Sequence, residues 1–213
     1  MLFEWVRPVA YIIHDMKFDP QKHHRRSIRL KDYDYSQAGA YYVTINVQNR
    51  ECLFGKNVNY EMELNDAGMM IEEQWNALLE RFPGLKLDVY QIMPNHFHGV
   101  VVVGAVFMVA LDTNISENKA DTRLGVDTRS GADTRPAPTL GDIIGAFKSI
   151  TTHEYILGVD NKNWPRFYKR LWQRNYYEHI VRDEADLERI RDYIQSNPAD
   201  WDEDEENPKF KKI

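Results

Sequence analysis

The spacing of hydrophobic positions predicts a chain that changes between strands and helices. Residues 41–48 are β-branched and aromatic, and residues 86–93 alternate apolar with polar side chains, so both stretches predict strands. A Pro-Asn pair separates the second stretch from the strongly apolar residues 96–103, so these two stretches predict a β-hairpin. The pattern also predicts short strands flanking Gly55, at residues 52–54 and 60–64.

Three other stretches have the three- and four-residue spacing of amphipathic helices. The first follows the N-cap candidate Asn65 and ends at a Pro-Gly pair, residues 83–84, and the second follows Thr139. The third runs from Glu184 to Ser196, and Pro198 ends it. This order of elements predicts an α+β fold, in which an antiparallel sheet has its helices packed on one face.

Composition divides the chain into a domain with extensions. Residues 1–35 are aromatic and basic without a clean period, and we predict an N-terminal arm there. The predicted domain, residues 36–198, is interrupted by a six-residue unit that occurs three times within residues 121–138. Because that unit is too short to build a core, we predict a flexible linker at about residues 104–139. Residues 199–213 are predicted to be an acidic tail.

The overall composition is that of a globular protein in a reducing compartment. The chain has 213 residues, of which 43% are hydrophobic and 28% are charged, so wholesale disorder is excluded. Its one cysteine, Cys52, excludes an intrachain disulfide. The longest uncharged apolar run, residues 99–111, is shorter than the ~20 residues that span a membrane. We therefore expect a cytoplasmic protein with no membrane partner.

Charge is distributed unevenly along the chain. The net charge of −6 argues against a nucleic-acid partner, but residues 183–206 carry eleven acidic side chains and account for much of it. Residues 22–31 and 164–182 each carry five cations, against no acid and one acid respectively. Because local basic patches decide phosphate binding, these two runs keep nucleic acid open as a partner. The alternative is that both runs are solvated faces.

Two histidines at the start of the predicted strand 96–103 form the first candidate site. Residues i and i+2 of a strand point to the same face, so His96 and His98 are predicted to share a face while Phe97 points into the core. A histidine pair at this spacing suits one divalent metal ion. The motif alone is a weak signal, and a complete site needs a third ligand from elsewhere in the chain.

The predicted helix 184–196 offers that ligand and a nucleophile. Tyr193 lies on it, and Asn197 follows four residues later on the same helical face. The Asn197 amide oxygen would hold the metal, and Tyr193 beside it could attack a phosphodiester. The alternative is that Tyr193 is an amphipathic packing residue and that Asn197 is a C-cap before Pro198.

Cations and aromatic residues are interleaved between residues 164 and 177. Cations neutralise phosphates, and exposed aromatic faces stack on unpaired bases, so this run predicts contact with nucleic acid. The alternative is that its aromatic residues pack in the core. Together with three arginines of the arm, the candidate DNA-binding residues are Arg25, Arg26, Arg29, Lys169, Arg170, Trp172 and Arg174.

Three separated motifs resemble those of the single-tyrosine HUH transposases, and in particular the REP-associated tyrosine transposases. The motifs are MPNHFHGVV, LWQRNYYEHIVRDEADLERI and RDYIQSNP, and RRSIRLKDYDYSQAGAYYVTINVQNRECLFG resembles the start of many members. The resemblance covers roughly residues 25–103 and 139–198, with the motifs in the family's order.

The resemblance implies a ferredoxin-like HUH nuclease fold and a metal-dependent enzyme that cuts single-stranded DNA beside a hairpin. It implies that His96, His98 and Asn197 bind Mg²⁺ or Mn²⁺, and that Tyr193 forms a 5′-phosphotyrosyl link and leaves a 3′-OH. The implied partner is single-stranded or hairpin DNA with REP-like palindromes, bound by a monomer or homodimer near the bacterial nucleoid. Classical insertion-sequence members often carry Gln at the position of Asn197, and Asn fits the REP-associated branch.

Two other functions stay open from the sequence. A catalytically silent, domesticated protein of the same fold would bind hairpin nucleic acid without cutting it. A metal nuclease that uses water would need His96 and His98 but would survive Tyr193→Phe and form no covalent adduct.

Overall fold

The structure, a computed structural model, describes residues 38–104 and 138–210. The predicted arm and nearly all of the predicted linker lie outside these residues. The described strands are β1 (Gly39–Asn46), β2 (Gly55–Val58), β3 (Glu61–Leu64), β4 (Leu85–Ile92), β5 (His96–Val103) and β6 (Tyr177–Ile180). The described α-helices are α1 (Asp66–Asn76), α2 (Leu78–Arg81), α3 (Leu140–Lys162) and α4 (Glu184–Ser196).

Four of the strands form one antiparallel sheet in the order β4-β5-β1-β6. Along the chain, these strands and the two long helices between them follow the order β1, α1, β4, β5, α3, β6, which is the ferredoxin-like βαββαβ arrangement. The remaining strands, β2 and β3, form a separate hairpin ahead of α1. The predicted α+β fold with an antiparallel sheet is confirmed.

Helices cover both faces of the sheet, so the prediction that they pack on one face is wrong. Side chains of α1 and α3 join the core on the face that carries Tyr41 and Phe97. Side chains of α4 pack on the other face, with Tyr42 and Val100. All eight residues of β5 are buried. A central strand that is apolar on both faces needs cover on both, and α4 supplies the second layer.

Side-chain caps fix where the helices begin. The Asn65 side chain accepts a hydrogen bond from the backbone N–H of Gly68 at 2.9 Å, and α1 starts at the next residue, as predicted. Thr139 and Asp142 form a reciprocal capping box at the start of α3. The Asp183 side chain accepts from the N–H of Asp186, and α4 then spans the predicted residues.

One predicted strand boundary differs from the structure, and one strand of the structure is not predicted. The first short strand begins at Gly55 instead of ending before it. Gly55 has φ +139°, and an added Cβ would lie 2.2 Å from the Glu63 carbonyl oxygen, so only glycine fits this start of the hairpin. The edge strand β6 lies inside the basic and aromatic run, where no strand is predicted.

The start of the predicted acidic tail packs against the domain. A 3-10 turn, Trp201–Glu203, follows α4, and the side chains of Trp201 and Asn207 are buried. The Asn207 amide donates to the Trp201 carbonyl oxygen at 2.9 Å and closes the segment on itself. Arg50 forms an ion pair with Glu206, with Nε 3.0 Å from Oε2. These contacts hold residues 199–210 at the end of the sheet where β5 begins.

Within the part of the chain that the structure describes, no helix is both long enough and apolar enough to cross a membrane.

Candidate active site

The two histidines lie side by side on the face of the sheet that α4 covers. In the register of β1 and β5, His98 is opposite Thr44 and His96 is opposite Asn46. Both rings are buried, and their Nε2 atoms are 2.9 Å apart. Phe97 points to the opposite face, where its ring centroid lies 4.5 Å from that of Trp75. The alternation predicted for the HFH motif is therefore present.

Asn95 fixes the orientation of the His96 ring. Its amide nitrogen donates to the carbonyl oxygens of Arg50, at 3.1 Å, and Glu206, at 2.7 Å. Its oxygen therefore faces the His96 ring, 2.9 Å from Nδ1, so that Nδ1 carries the proton and donates. Burial lowers the pKa of His96 to about 3, an effect that Asn197 opposes and Arg50 increases. His96 is thus neutral, and its Nε2 lone pair points into the site.

His98 is held in a similar way by β1. Its Nδ1 lies 2.8 Å from the Tyr42 hydroxyl and 3.0 Å from the Thr44 hydroxyl, and Thr44 donates to Tyr42. Burial, and then the neighbouring His96, lower the pKa of His98 well below its ordinary value. Both rings are therefore in the neutral form that binds metals.

Helix α4 brings Tyr193 to the histidine pair. The Tyr193 ring centroid lies 5.5 Å from that of His98 and 6.2 Å from that of Tyr42. Burial raises the pKa of Tyr193 to about 12, and the charge of Asp204 adds to the rise, whereas hydrogen bonding with Tyr42 and Asn197 opposes it. The hydroxyl is therefore protonated near neutral pH, and these polar neighbours stabilise its deprotonated form.

Asn197 occupies the C-cap position of α4 and continues its helical path, with φ −55° and ψ −39°. It therefore stays on the helical face of Tyr193, as its spacing predicts. Its side chain is buried, and its Oδ1 accepts no hydrogen bond from any residue that the structure describes. A buried acceptor without a partner is costly, so this oxygen is suited to a ligand that the protein itself does not supply.

A carboxylate of the predicted acidic tail lies at the same site. The Oδ2 atom of Asp204 is 3.7 Å from Nε2 of His96, and the Asp204 side chain is only 15% exposed. Burial raises the pKa of Asp204, while a hydrogen bond from the Glu206 N–H and the charge of Arg50 oppose the rise. The sequence gives no sign of this position, because no pattern distinguishes Asp204 from the ten other acidic residues of 183–206.

The donor set fits a divalent cation. Across residues 38–104 and 138–210, no three His, Cys, Asp or Glu side chains are close enough to form a metal site by themselves. Two neutral imidazole nitrogens and the unpartnered Asn197 oxygen nevertheless come together here. The 2.9 Å between the imidazole nitrogens is close to the separation of about 3 Å between adjacent octahedral ligands with bonds of about 2.1 Å.

The structure separates the candidate DNA-binding residues into three groups. Trp172 is 3% exposed, packs against Phe54 and Phe147, and donates its indole N–H to Thr151. The prediction that it stacks on bases is wrong, because its ring lies in the core. The three candidate cations of that run are all exposed: Lys169, Arg170 and Arg174. The three candidate arginines of the arm lie outside the described residues: Arg25, Arg26 and Arg29.

Backbone pairing places the exposed cations near one end of the sheet. The N–H of Gln48 donates to the carbonyl of Leu171, and that of Gln173 to the carbonyl of Asn46. This segment therefore extends the β6 edge alongside the end of β1 that is opposite His96. The cations lie at the histidine end of the sheet.

Comparison with known proteins gives one relative with high coverage. An uncharacterised protein of Haemophilus influenzae is 37% identical over 192 residues, which cover 89% of this chain and 96% of the relative. The chain belongs to the family of that protein. No model of a described protein family matches this member.

Two solved structures resemble this chain distantly. A REP-associated tyrosine transposase bound to a REP hairpin has 16% sequence identity and a TM-score of 0.49, and the match covers 82% of this chain and 74% of that one. A candidate transposase from Deinococcus radiodurans has 12% identity and a TM-score of 0.38, with 78% and 95% covered.

Proposed function

We propose that the protein is a metal-dependent endonuclease and strand transferase that cuts single-stranded DNA beside hairpins, with Tyr193 as the nucleophile. The observation that carries the proposal is that Tyr193, the His96–His98 pair and the Asn197 oxygen converge on one buried site. Each group comes from one of the motifs that resemble the REP-associated tyrosine transposases. Hairpin DNA of the REP type is accordingly the proposed substrate.

In this proposal, His96, His98 and Asn197 hold Mg²⁺ or Mn²⁺. The ion, when bound, would polarise the scissile phosphate and offset its charge. Asn95 keeps the His96 lone pair directed at the site through the hydrogen bond to Nδ1. The hydroxyls of Tyr42 and Thr44 can accept a hydrogen bond from the Nδ1–H of His98, which leaves its Nε2 lone pair free to bind the metal.

In the proposed reaction, one bond forms at the phosphorus and one breaks. The phenolic oxygen of Tyr193 attacks the phosphorus, the bond between phosphorus and O3′ breaks, and the products are a 5′-phosphotyrosine and a 3′-OH. The phenol loses its proton, and the departing O3′ gains one. Tyr42 and Asn197, which counter the rise in the Tyr193 pKa, stabilise the negative charge on the attacking oxygen.

Exposed cations at the histidine end of the sheet would hold the DNA backbone. Lys169, Arg170 and Arg174 are the candidates among the described residues, and Arg25, Arg26 and Arg29 of the arm could contact the foot of the hairpin. Because these contacts are with phosphates, binding should weaken as salt increases.

The test is a search for a covalent protein–DNA adduct. End-labelled, hairpin-bearing single-stranded DNA from the flanks of the protein's own gene would be incubated with Mg²⁺, Mn²⁺ or EDTA and resolved on a denaturing gel. We expect a metal-dependent adduct that Tyr193→Phe abolishes. Tyr168→Phe is the matched control, since Tyr168 lies in the basic run and is 62% exposed. It should leave the adduct unchanged.

Each alternative gives a different result in the same assay. Cleavage that persists in Tyr193→Phe without an adduct would indicate a nuclease that uses water. Hairpin binding without cleavage in any metal would indicate a catalytically silent binding protein. An adduct that Tyr168→Phe abolishes, and Tyr193→Phe does not, would assign the nucleophile to the basic run.

A further inference from the structure

Asp204 lies beside the histidine pair but belongs to none of the motifs named above. Its Oδ1 accepts a hydrogen bond from the N–H of Glu206 at 2.7 Å, which fixes the carboxylate at the end of the 3-10 turn. Its Oδ2 is directed towards the histidines, 3.7 Å from Nε2 of His96. The carboxylate thus lies beside His96, one of the two paired imidazole rings.

The distance between Asp204 and His96 is close to the separation of two ligands of one ion. Donors that each bind an ion at about 2.1 Å are separated by about 3.0 to 3.6 Å for angles between 90° and 120°. The 3.7 Å between Oδ2 and Nε2 lies just above this range, so among the described residues His96, His98 and Asp204 do not form a ready-made metal site. A small movement of the turn that carries Asp204 would bring Oδ2 within the range. The Asn197 oxygen, buried and without a partner, supplies an independent sign that a ligand belongs here.

The charge of the site is a second reason to place Asp204 among the metal ligands. Two neutral imidazoles and an amide carry no negative charge, whereas Mg²⁺ and Mn²⁺ prefer sites with carboxylate oxygens. The Arg50 guanidinium is paired with Glu206, with Nε 3.0 Å from Oε2, so it already has a carboxylate partner. A carboxylate beside the scissile phosphate would also repel the DNA unless a cation lay between them.

We infer that Asp204 is a fourth ligand of the divalent metal and supplies the negative charge that His96, His98 and Asn197 lack. This inference rests on the proposed function, because it uses the same metal centre. It makes the segment after α4 a part of the site: Trp201, whose ring centroid lies 6.0 Å from that of His96, anchors the turn that presents the carboxylate.

Mn²⁺ binding to the full chain tests the inference without using activity. Free Mn²⁺ would be measured by electron paramagnetic resonance during titration of the wild type, Asp204→Asn, Asp202→Asn and His96→Ala. The amide introduced by Asp204→Asn would keep an oxygen for the Glu206 N–H and turn a non-ligating NH₂ towards His96. Asp202 is the matched control, because it lies in the same turn, is exposed and carries the same charge. Thermal melting in EDTA checks that each variant is folded.

We expect Asp204→Asn to weaken Mn²⁺ binding at least about tenfold, while Asp202→Asn leaves it within about twofold of the wild type. If His96→Ala weakens binding and Asp204→Asn behaves like Asp202→Asn, the inference is wrong and the metal centre stands. If the wild type binds no Mn²⁺, or His96→Ala binds as the wild type does, both the inference and the proposed metal centre fail.

Should Asp204→Asn fail to fold, Asp204→Cys provides a second reading. A thiolate at this position favours Zn²⁺ over Mn²⁺, so the ratio of the two affinities should shift towards Zn²⁺ at least about tenfold. An unchanged ratio would overturn the inference.

Discussion

Gly99 shows how closely the core constrains the strand that carries the histidines. It follows His98 in β5 and faces the packed rings of the opposite face. A Cβ at this position would lie 2.8 Å from the Phe97 ring and 2.8 Å from the Trp75 ring. Neither contact is with the free end of a flexible side chain, so the strand or the core must move to admit a methyl group.

We therefore predict that Gly99→Ala lowers the free energy of unfolding by about 1–3 kcal/mol. Urea denaturation measures it. Gly145→Ala is the control: Gly145 lies within α3 with nothing near an added Cβ, and the substitution should stabilise the protein by about 0.5–1 kcal/mol. Equal effects at the two positions would mean that the packing around Gly99 does not limit β5.

Individual site residues were predictable only where local periodicity determines them. The two-residue period of a strand predicts that His96 and His98 share a face, and the helical period predicts the same for Tyr193 and Asn197. Asp204 was not predictable, because its position depends on how the chain after α4 folds back onto β5. Trp172 was misassigned, because an aromatic residue among cations has the same local pattern whether it is buried or exposed.

At the scale of the element, α4 is attached to the sheet by a specific ion pair. The Arg191 guanidinium binds Asp88 of β4 through two hydrogen bonds, with Nε 3.0 Å from Oδ1. Asp88 lies at the irregularity in the register between β4 and β5. Since α4 also carries Tyr193, this ion pair helps to set the distance between Tyr193 and the histidines.

We predict that Asp88→Asn destabilises the protein by about 1 kcal/mol at pH 7 and that the difference disappears in acid. The Arg191 hydrogen bonds hold the pKa of Asp88 below its usual value, although burial acts in the opposite direction. A lowered carboxyl pKa contributes stability above the unfolded value of about 3.9, and that contribution is lost as the pH falls through the folded value. Urea denaturation between pH 7 and pH 3 would show the difference shrinking below about pH 5.

Glu188→Gln is the control for this ion pair. Glu188 also contacts Arg191, but its side chain is 56% exposed, so the substitution should have a smaller effect than Asp88→Asn. A difference between Asp88→Asn and wild type that stays constant from pH 7 to pH 3 would contradict the assigned role of the charge.

Helices with clear caps and apolar stripes were predictable from the sequence. Elements that are defined by the strand or helix they pack against were not. Caps and apolar stripes predict α1, α3 and α4. The four residues of β6 are all half-buried and carry no alternation, so only pairing with β1 identifies them as a strand. The second helical layer was also missed, because the sequence of β5 shows that both of its faces are apolar but not which helix covers each.

At the scale of the whole molecule, the site is assembled from distant parts of the chain. Strand β5 supplies the histidines, and Tyr193 follows only after the predicted linker, α3 and β6. The described core joins β1 and β5 to α3 directly. The repeat unit within residues 121–138 is too short to build a core of its own. It should therefore tolerate shortening.

We predict that deleting residues 121–132, two of the three repeat units, leaves thermal stability and Mn²⁺ affinity unchanged. The remaining residues 105–120 could alone extend across roughly 50 Å, and shortening a long loop alters its closure entropy only slightly. Thermal melting and the Mn²⁺ titration measure both properties. A lower melting temperature would show that the repeats contribute to the fold.

The position of α4 and β6 late in the chain has a consequence for damaged copies of the gene. A premature stop codon before residue 177 would remove β6 and α4 together, which exposes the edge of β1 and the apolar side chains of Tyr42, Val100 and Val102. We expect such a truncated product to be unfolded, because these apolar surfaces would lose their cover. An inactive but folded descendant of this protein can therefore arise by substitution at the site, but not by a stop codon before residue 177.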